Sequence, residues 1–594
     1  MTTLGRGAAL PFWCWCEPAH TESRVPGGME RFVAAVTTVG VGPRSNIYGR
    51  EAMTEGSAVR PHVVLAGSRR AHRPGAEVLG RADPHEWCEI TVKLRRAAEI
   101  PEPVAGKAVL SDADAVRQHG ARAADMDTVA TVLSDYGLTI LAKDQGARSI
   151  KAAGPVEAME RAFEVHLLRV KHGEHLYRGR LGPLHIPKEL DGVVVGVFGL
   201  DTRPMARRRG GTSFTLAART PGELPPPEAR PWFLPQELAA AYEFPDNQGA
   251  GQTIGIIELA GHYIPSDLAE FSALAGVGAP PDVVVKNVET LSRQDRNDPD
   301  AISEVMLDIE VVASLCPKST IAVYFSNFTE KGWIDAIDAA LNDTKNRPSV
   351  LSISYGLAEG SDIWTDQAMS SINDAFKEAA ARGIPVCISA GDDGSDDQVQ
   401  DGMAHVDFPA ASPFVLAIGG TAMKKTGGRP SGEVVWFDGD GLRRDRGGST
   451  GGGVSAVLER PSFQKDIDIG PVNLGALVGR CIPDVAAVAA GSTGYLIVAQ
   501  GNPGIEGGTS AAAPLWAGLI ARLNAAGKPL RYATPLFYQP TPKTDGKPLG
   551  AVACTDITEG NNATAAVGGF QAGPGYDAVT GWGTPNGKKL LQFL

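Results

Sequence analysis

In Gly507-Gly508-Thr509-Ser510-Ala511-Ala512-Ala513-Pro514, two glycines permit a tight turn and small residues open a helix with a serine at its head. A serine hydroxyl held there can attack a carbonyl, provided that a base takes its proton. Imidazole is in short supply. After residue 220 the chain has only His262 and His405, and neither sits in a His-Gly-Thr turn. A carboxylate is the base on offer. That choice fixes both the chemistry and the pH at which it runs.

The carboxylates have a candidate position. In Ser303-Glu304-Val305-Met306-Leu307-Asp308-Ile309-Glu310-Val311-Val312, Glu304 and Asp308 are spaced i, i+4, which puts both on one helix face. The apolar residues around them imply a largely buried helix, where like charges repel unless they share a proton. An exposed acidic face is the plainer alternative for this segment by itself. A third motif, Ala390-Gly391-Asp392-Asp393-Gly394-Ser395, follows the apolar run Pro385–Ser389, so it stands at the C-terminal end of a buried strand. Attack on a carbonyl creates an oxyanion that needs hydrogen-bond donors, and an aspartate donates only when protonated. Read alone, the motif is equally an Asp-Gly turn.

Several elements must position these groups. Glu89–Leu94 alternates as a half-buried strand, a helical pattern runs from Ser111 to about Leu133, and Leu138–Leu141 reads as the next strand. A strand at Ser149–Ala152, a helix at Val156–Phe163 and a final strand at Glu164–Val170 complete a β-α-β-β-α-β, ferredoxin-like order. Residues 204–235 are rich in Arg, Gly and Pro and read as an exposed linker. Beyond it, apolar strands at 253–257, 283–285, 321–325, 350–354, 385–389 and 415–418 alternate with amphipathic helices, the pattern of a parallel sheet covered on both faces. The expected division is an irregular lead 1–58, a ferredoxin-like domain 59–205, a linker 206–232 and an α/β catalytic domain 233–594.

Composition narrows the function. Net charge is −12, divided between 30 Lys and Arg against 24 Asp and Glu in residues 1–220, and 26 against 44 in the remainder. A basic front piece and an acidic body can attract one another, or be two independently solvated surfaces. Basic clusters interleaved with aromatics are missing, which argues against nucleic acid as partner, and no apolar run reaches membrane-spanning length. The seven cysteines form no metal pattern and an odd count makes a poor disulfide framework; Cys316 and Cys387 read as small core residues. The N-terminal Ala-Ala-Leu-Pro-Phe-Trp stretch is a weak export signal.

The three motifs occur in the order and spacing of the sedolisins, the serine-carboxyl peptidases, and the chain most resembles the kumamolisin branch. The similarity runs from about His62 to the C-terminus and includes Tyr177-Arg178-Gly179 and Gly199–Pro204. It implies a subtilisin-like fold, an N-terminal prodomain that inhibits intramolecularly and is removed on maturation, and secreted, monomeric endopeptidase activity on proteins or peptides in acid. Carried over, Ser510 is the nucleophile, Glu304 its general base, Asp308 the partner of Glu304 and Asp392 the oxyanion donor. Glu258 extends the acid network outward. Beside it this chain has Tyr355, where kumamolisin-like proteins usually carry tryptophan. The resemblance further implies one structural Ca²⁺ held by the side chains of Asp556 and Asp577 and the carbonyls of Ile557, Gly573 and Gly575; on residues alone this is an Asx-rich surface turn. Gly451, Gly452 and Gly453 match an extended segment that pairs with substrate backbone, and Asp407 a group favouring a basic substrate residue. Competing readings are a conventional subtilisin, which lacks its histidine here, a catalytically inactive calcium-stabilised binding protein, and a tripeptidyl-releasing exopeptidase.

Overall fold

The structure, a computed structural model, describes residues 60–205, 214–215, 224–360, 363–427, 429–443 and 447–594; the irregular lead and most of the linker lie outside the described residues. In the N-terminal domain, strands Thr139–Asp144, Ser149–Pro155, Trp87–Leu94 and Val194–Phe198 form one antiparallel sheet in that spatial order. Helices Ala123–Asp135 and Val156–Phe163 pack into its core, giving the ferredoxin-like arrangement.

Two local readings are corrected. The closing strand is Val194–Phe198, not Glu164–Val170. Glu164 takes a left-handed conformation (φ 42°) that caps the preceding helix. Leu168–His172 then turns through Gly173 into a hairpin with His175–Gly179, in a separate three-stranded sheet. The long helix expected from Ser111 is also broken. A short turn at Asp112–Asp114 and a π-turn at Ala115–His119 end at Gly120, which is extended (ψ −179°), and the regular helix starts again at Ala123.

The catalytic domain is built on an eight-stranded, mainly parallel sheet. Its order is Asp282–Asn287, Thr320–Phe325, Thr253–Glu258, Val350–Ile353, Val386–Ser389, Leu416–Thr426 and Arg429–Val435, with Val485–Val488 also paired to Leu416–Thr426. Only the 416–426/429–435 hairpin is antiparallel. The parallel strands are added on one side of Thr253–Glu258 and then on the other, starting there with Val350–Ile353, and such a switch point opens a crevice at the C-terminal strand ends. One apolar core contains helices Pro299–Leu315 (the acid helix) and Thr509–Ala525 (the serine helix); a second contains Glu330–Asn342 and Asp366–Ala381. Cys316 and Cys387 are fully buried, as small core residues should be.

The N-terminal domain docks on that second pair of helices through a seam of ion pairs. Lys151 meets Asp335 at 2.9 Å, beside Lys331 of Asp335's own helix, Lys93 meets Asp338 at 2.6 Å, and Arg70 meets Glu330 at 2.8 Å. Arg96 and Arg148 share Asp374. Burial alone would raise the carboxyls of Asp335 and Asp374, but Lys331 and Lys151 at the first, and Arg148 and Arg96 at the second, outweigh it and hold both below the ordinary value. At Asp338 burial wins over Lys93 and the carboxyl is raised. A depressed carboxylate stabilises the docked state at neutral pH and loses that contribution as pH falls through its docked pKa; a raised one acts in the opposite sense. The first kind outnumbers the second here.

With the linker nicked in a Ser510→Ala protein, the two domains are therefore expected to separate below about pH 4. Asp374→Asn leaves two guanidinium groups short of a partner, so calorimetry at neutral pH should find docking weaker by about 3 kcal/mol, roughly two orders of magnitude. The response of docking to acid should also flatten.

Candidate active site

The candidate residues come from the head of the serine helix, two strand ends and the middle of the acid helix. Gly508 (φ 99°) turns the chain sharply into the serine helix, and Ser510 is the second residue of that helix. Pro514 lies one turn on. Lacking an N–H, it gives the Ser510 carbonyl no intrahelical donor. Ser354, at the end of its strand, supplies one: its hydroxyl lies 3.2 Å from that carbonyl and 2.9 and 2.8 Å from the two oxygens of Asp308. The Ser510 hydroxyl donates in turn to the Ser354 carbonyl at 3.3 Å. Ser354 therefore ties the serine helix to the acid helix, and sequence reasoning missed it. Its one sequence signal is its place at the C-terminal end of a parallel strand.

The acid helix starts at Pro299, with Asp298 accepting from the backbone of Asp300 at 3.0 Å. Glu304 and Asp308 follow on one face, 8% and 0% exposed. Glu304 reaches the wall of a cavity of about 870 Å³ shared with the N-terminal domain, which Tyr355, Glu506 and Tyr177 also line. Gly518 lets the two helices close up, since a Cβ there would stand 2.9 Å from Leu315. Farther out, the Tyr355 hydroxyl donates to Glu258 at 2.9 Å. Burial first, then Glu258, Glu304 and Asp308, raise the Tyr355 phenol well above its ordinary value, so it remains a donor. A tyrosine thus occupies the place where the resemblance led us to expect tryptophan, and it carries the bond to Glu258.

Asp392 sits at the serine-helix entrance. One of its oxygens accepts from the Thr509 N–H at 2.8 Å and the Thr509 hydroxyl at 2.6 Å. A proton on Asp392 therefore belongs on the other oxygen. Asp407 is buried nearby, its carboxyl against the backbone of Gly356 and facing Gly391; burial, then Asp397, pushes it well up. Gly451, Gly452 and Gly453 already have partners: the Gly391 carbonyl at 2.8 Å, the Asn562 side chain at 3.1 Å, and Ile482 across a ladder. A stretch of linker backbone pairs here instead, Phe214–Thr215 running antiparallel to Ile505 and Gly504 just before the Gly-Gly-Thr-Ser turn.

The calcium candidates converge on one loop. Asp556 accepts from Gly575 N–H at 2.8 Å and Asp577 from Gly573 N–H at 3.0 Å, so the two carboxylates clasp the 573–577 turn from both sides. Ile557 is buried with Val435 and Val579, which anchors the segment. Among the described residues no group of three or more His, Cys, Asp or Glu converges on a metal position. The set here is two carboxylates completed by carbonyls, an all-oxygen donor set that suits a hard cation. Burial pushes Asp577 up to about 6, a cost that a bound cation would offset.

Comparison with known proteins agrees with this architecture. Residues 93–203 match the pro-kumamolisin activation domain, and residues 297–535 the subtilase family. The chain is 41% identical over 552 residues to kumamolisin of Bacillus sp. (strain MN-32), covering 89% of this chain and 96% of that protein. It is 30% identical over 595 residues to tripeptidyl-peptidase sed5 of Aspergillus fumigatus, covering 89% and 97%. The solved structure of Pseudomonas sedolisin complexed with pseudo-iodotyrostatin superposes with a TM-score of 0.51 at 28% identity, over 61% of this chain and 97% of that one. The fold and the crevice define a subtilisin-like serine-type peptidase behind an activation domain. The chain belongs to the sedolisin family, on its kumamolisin-like side.

Ser354→Ala removes a donor to a buried carboxylate, a bond worth about 1.5–3 kcal/mol. Stopped assays should find kcat lowered by roughly tenfold or more with KM nearly unchanged, and thermal melting should show the fold intact.

Proposed function

We propose that the protein is an acid-acting serine-carboxyl endopeptidase made as a self-processing zymogen. The observation that carries this reading is the Ser354 hydroxyl joined to both Asp308 and Ser510, which ties the acid pair to the nucleophile where histidine is lacking. The Ser510 hydroxyl attacks the scissile carbonyl and passes its proton to Glu304, whose charge Asp308 balances. Protonated Asp392 donates to the developing oxyanion. As the C–N bond breaks, Glu304 returns the proton to the leaving amine and an acyl-enzyme remains. Water attacks the ester by the same steps in reverse and frees the serine.

Endopeptidase action is favoured over tripeptide release by the linker. The backbone paired at Ile505 and Gly504 is internal, with chain on both sides, and so resembles a substrate running through the groove. The N-terminal domain, as prodomain, would hold that segment in place until acid loosens the ion-pair seam, with cleavage between about 206 and 232. No described helix is long and apolar enough to cross a membrane. Secretion and a monomeric mature form complete the reading. One structural Ca²⁺ would be held by Asp556, Asp577 and the carbonyls of Ile557, Gly573 and Gly575.

Peptide cleavage should be low at neutral pH and greatest between about pH 3 and 5, where Asp392 keeps its proton while the Glu304–Asp308 pair is partly ionised. Ser510→Ala and Glu304→Ala should each lose activity by more than about 1,000-fold, and neither should self-process in acid. Retained cleavage by either variant would count against the mechanism. An inactive binding protein on this scaffold would fail to label with an active-site serine reagent. Chelation, or Asp556→Ala, should lower the melting temperature of the catalytic domain, and added Ca²⁺ should restore it in the wild type alone.

A further inference from the structure

The Asp392 oxygen left over by Thr509 faces a cation. Arg443 lies between strands Phe437–Asp438 and Gly448–Ser449, which pair as a hairpin. That hairpin is clamped to the Asp392 turn: Ser449 N–H donates to the Asp392 carbonyl at 3.0 Å, Gly394 N–H to the Ser449 carbonyl at 3.1 Å, and Arg443 N–H to Asp393 at 2.7 Å. The guanidinium then divides between two acids. Its Nε bonds Asp393 at 2.6 Å, while Nη1 stands 3.8 Å from Asp392 Oδ2. The second distance is beyond a hydrogen bond but well inside Coulombic range.

Among the described residues, acids also crowd Asp392. Asp393 and Asp396 share its turn and are buried, Asp397 follows, and Asp407 comes from the Asp407–Phe408 strand; the serine helix offers only neutral Thr509 here. Burial, reinforced by neighbouring acids, pushes Asp397 to about 7 and Asp407 well up, so both are neutral in acid. That leaves Asp393 and Asp396 as carboxylates on the Asp392 turn and Arg443 as a guanidinium, and of the two carboxylates Asp393 is the one bonded to Arg443. Their charges act on its proton in opposite directions: Asp393 holds it on, Arg443 drives it off.

We propose that Arg443, balanced by Asp393, is a positioning residue that sets the pH above which Asp392 can no longer donate a hydrogen bond to the oxyanion. The proposal rests on the reading of Asp392 as oxyanion donor. At 3.8 Å, Arg443 Nη1 acts on Oδ2 through its charge rather than through a hydrogen bond. Its charge places the upper pH limit of the enzyme in the acid range.

Four variants of the full chain, processed in acid and normalised by active-site titration, test this through kcat/KM against pH. Arg443→Gln leaves Asp393 uncompensated and should move the alkaline limb up by about one pH unit. Asp393→Asn leaves Arg443 uncompensated and should move it down, while Arg443→Lys should restore the wild-type limb. Shifts in opposite directions would support the proposal, because lost packing alone lowers the rate without moving the limb both ways. Rates that fall with the limb fixed, or limbs that move together, would overturn it. Asp392→Asn separates the underlying reading: an amide donates at every pH, so the limb should disappear. A limb unchanged in Asp392→Asn would remove the donor role itself, whatever Arg443 does.

Discussion

A buried carboxylate pair can be kept beside a serine only if something fixes the distance between the two helices that carry them. Here that constraint passes through Ser354. Its hydroxyl is shared between Asp308 and the Ser510 carbonyl, and the latter is available because Pro514 has no N–H to offer. Small residues on the serine helix let it lie against the acid helix, and the parallel sheet brings the Ser354 strand end under both. Ser510 and Asp308 are thus held through one shared hydroxyl.

Much of this was readable in the residues. The strands of the parallel sheet announce themselves as short apolar runs, because both faces of such a sheet are covered and alternation disappears. Glu304 and Asp308 declare a shared face by spacing, and the Gly-Gly-Thr-Ser turn declares its backbone geometry. The closing strand of the N-terminal domain was less legible. Val193–Phe198 is apolar enough, but a hairpin and a second small sheet intervene, and local pattern favours the nearer segment. Ser354 and Arg443 were not legible at all. Each is an ordinary residue whose role depends on where a distant element lands, 156 positions away for Ser354 and about 50 for Arg443.

The acids of this protein fall into two kinds that the fold keeps apart. Around Asp392, burial dominates, and the carboxyls of Asp397 and Asp407 are driven toward neutrality. Along the domain seam, Lys and Arg prevail and the carboxylates of Asp335 and Asp374 are held charged. A fall in pH therefore weakens the seam, whose carboxylates lose their charge, while Asp397 and Asp407 simply stay uncharged. Comparable carboxyl groups are put to opposite uses by their neighbours.

Departure of the N-terminal domain has a further consequence for the face it covers. Arg70, Lys93, Arg96, Arg148 and Lys151 leave together, and Glu330, Asp338, Asp374 and Glu378 stay behind along two adjacent helices. In acid this stripped surface is quiet. Returned to neutral water it carries an excess of acids above the second core, only partly offset by Arg382 on Glu378 and Lys331 on Asp335. The N-terminal domain is thus also a charge shield for this face, and without it the two helices carry an acidic excess that neutral pH exposes.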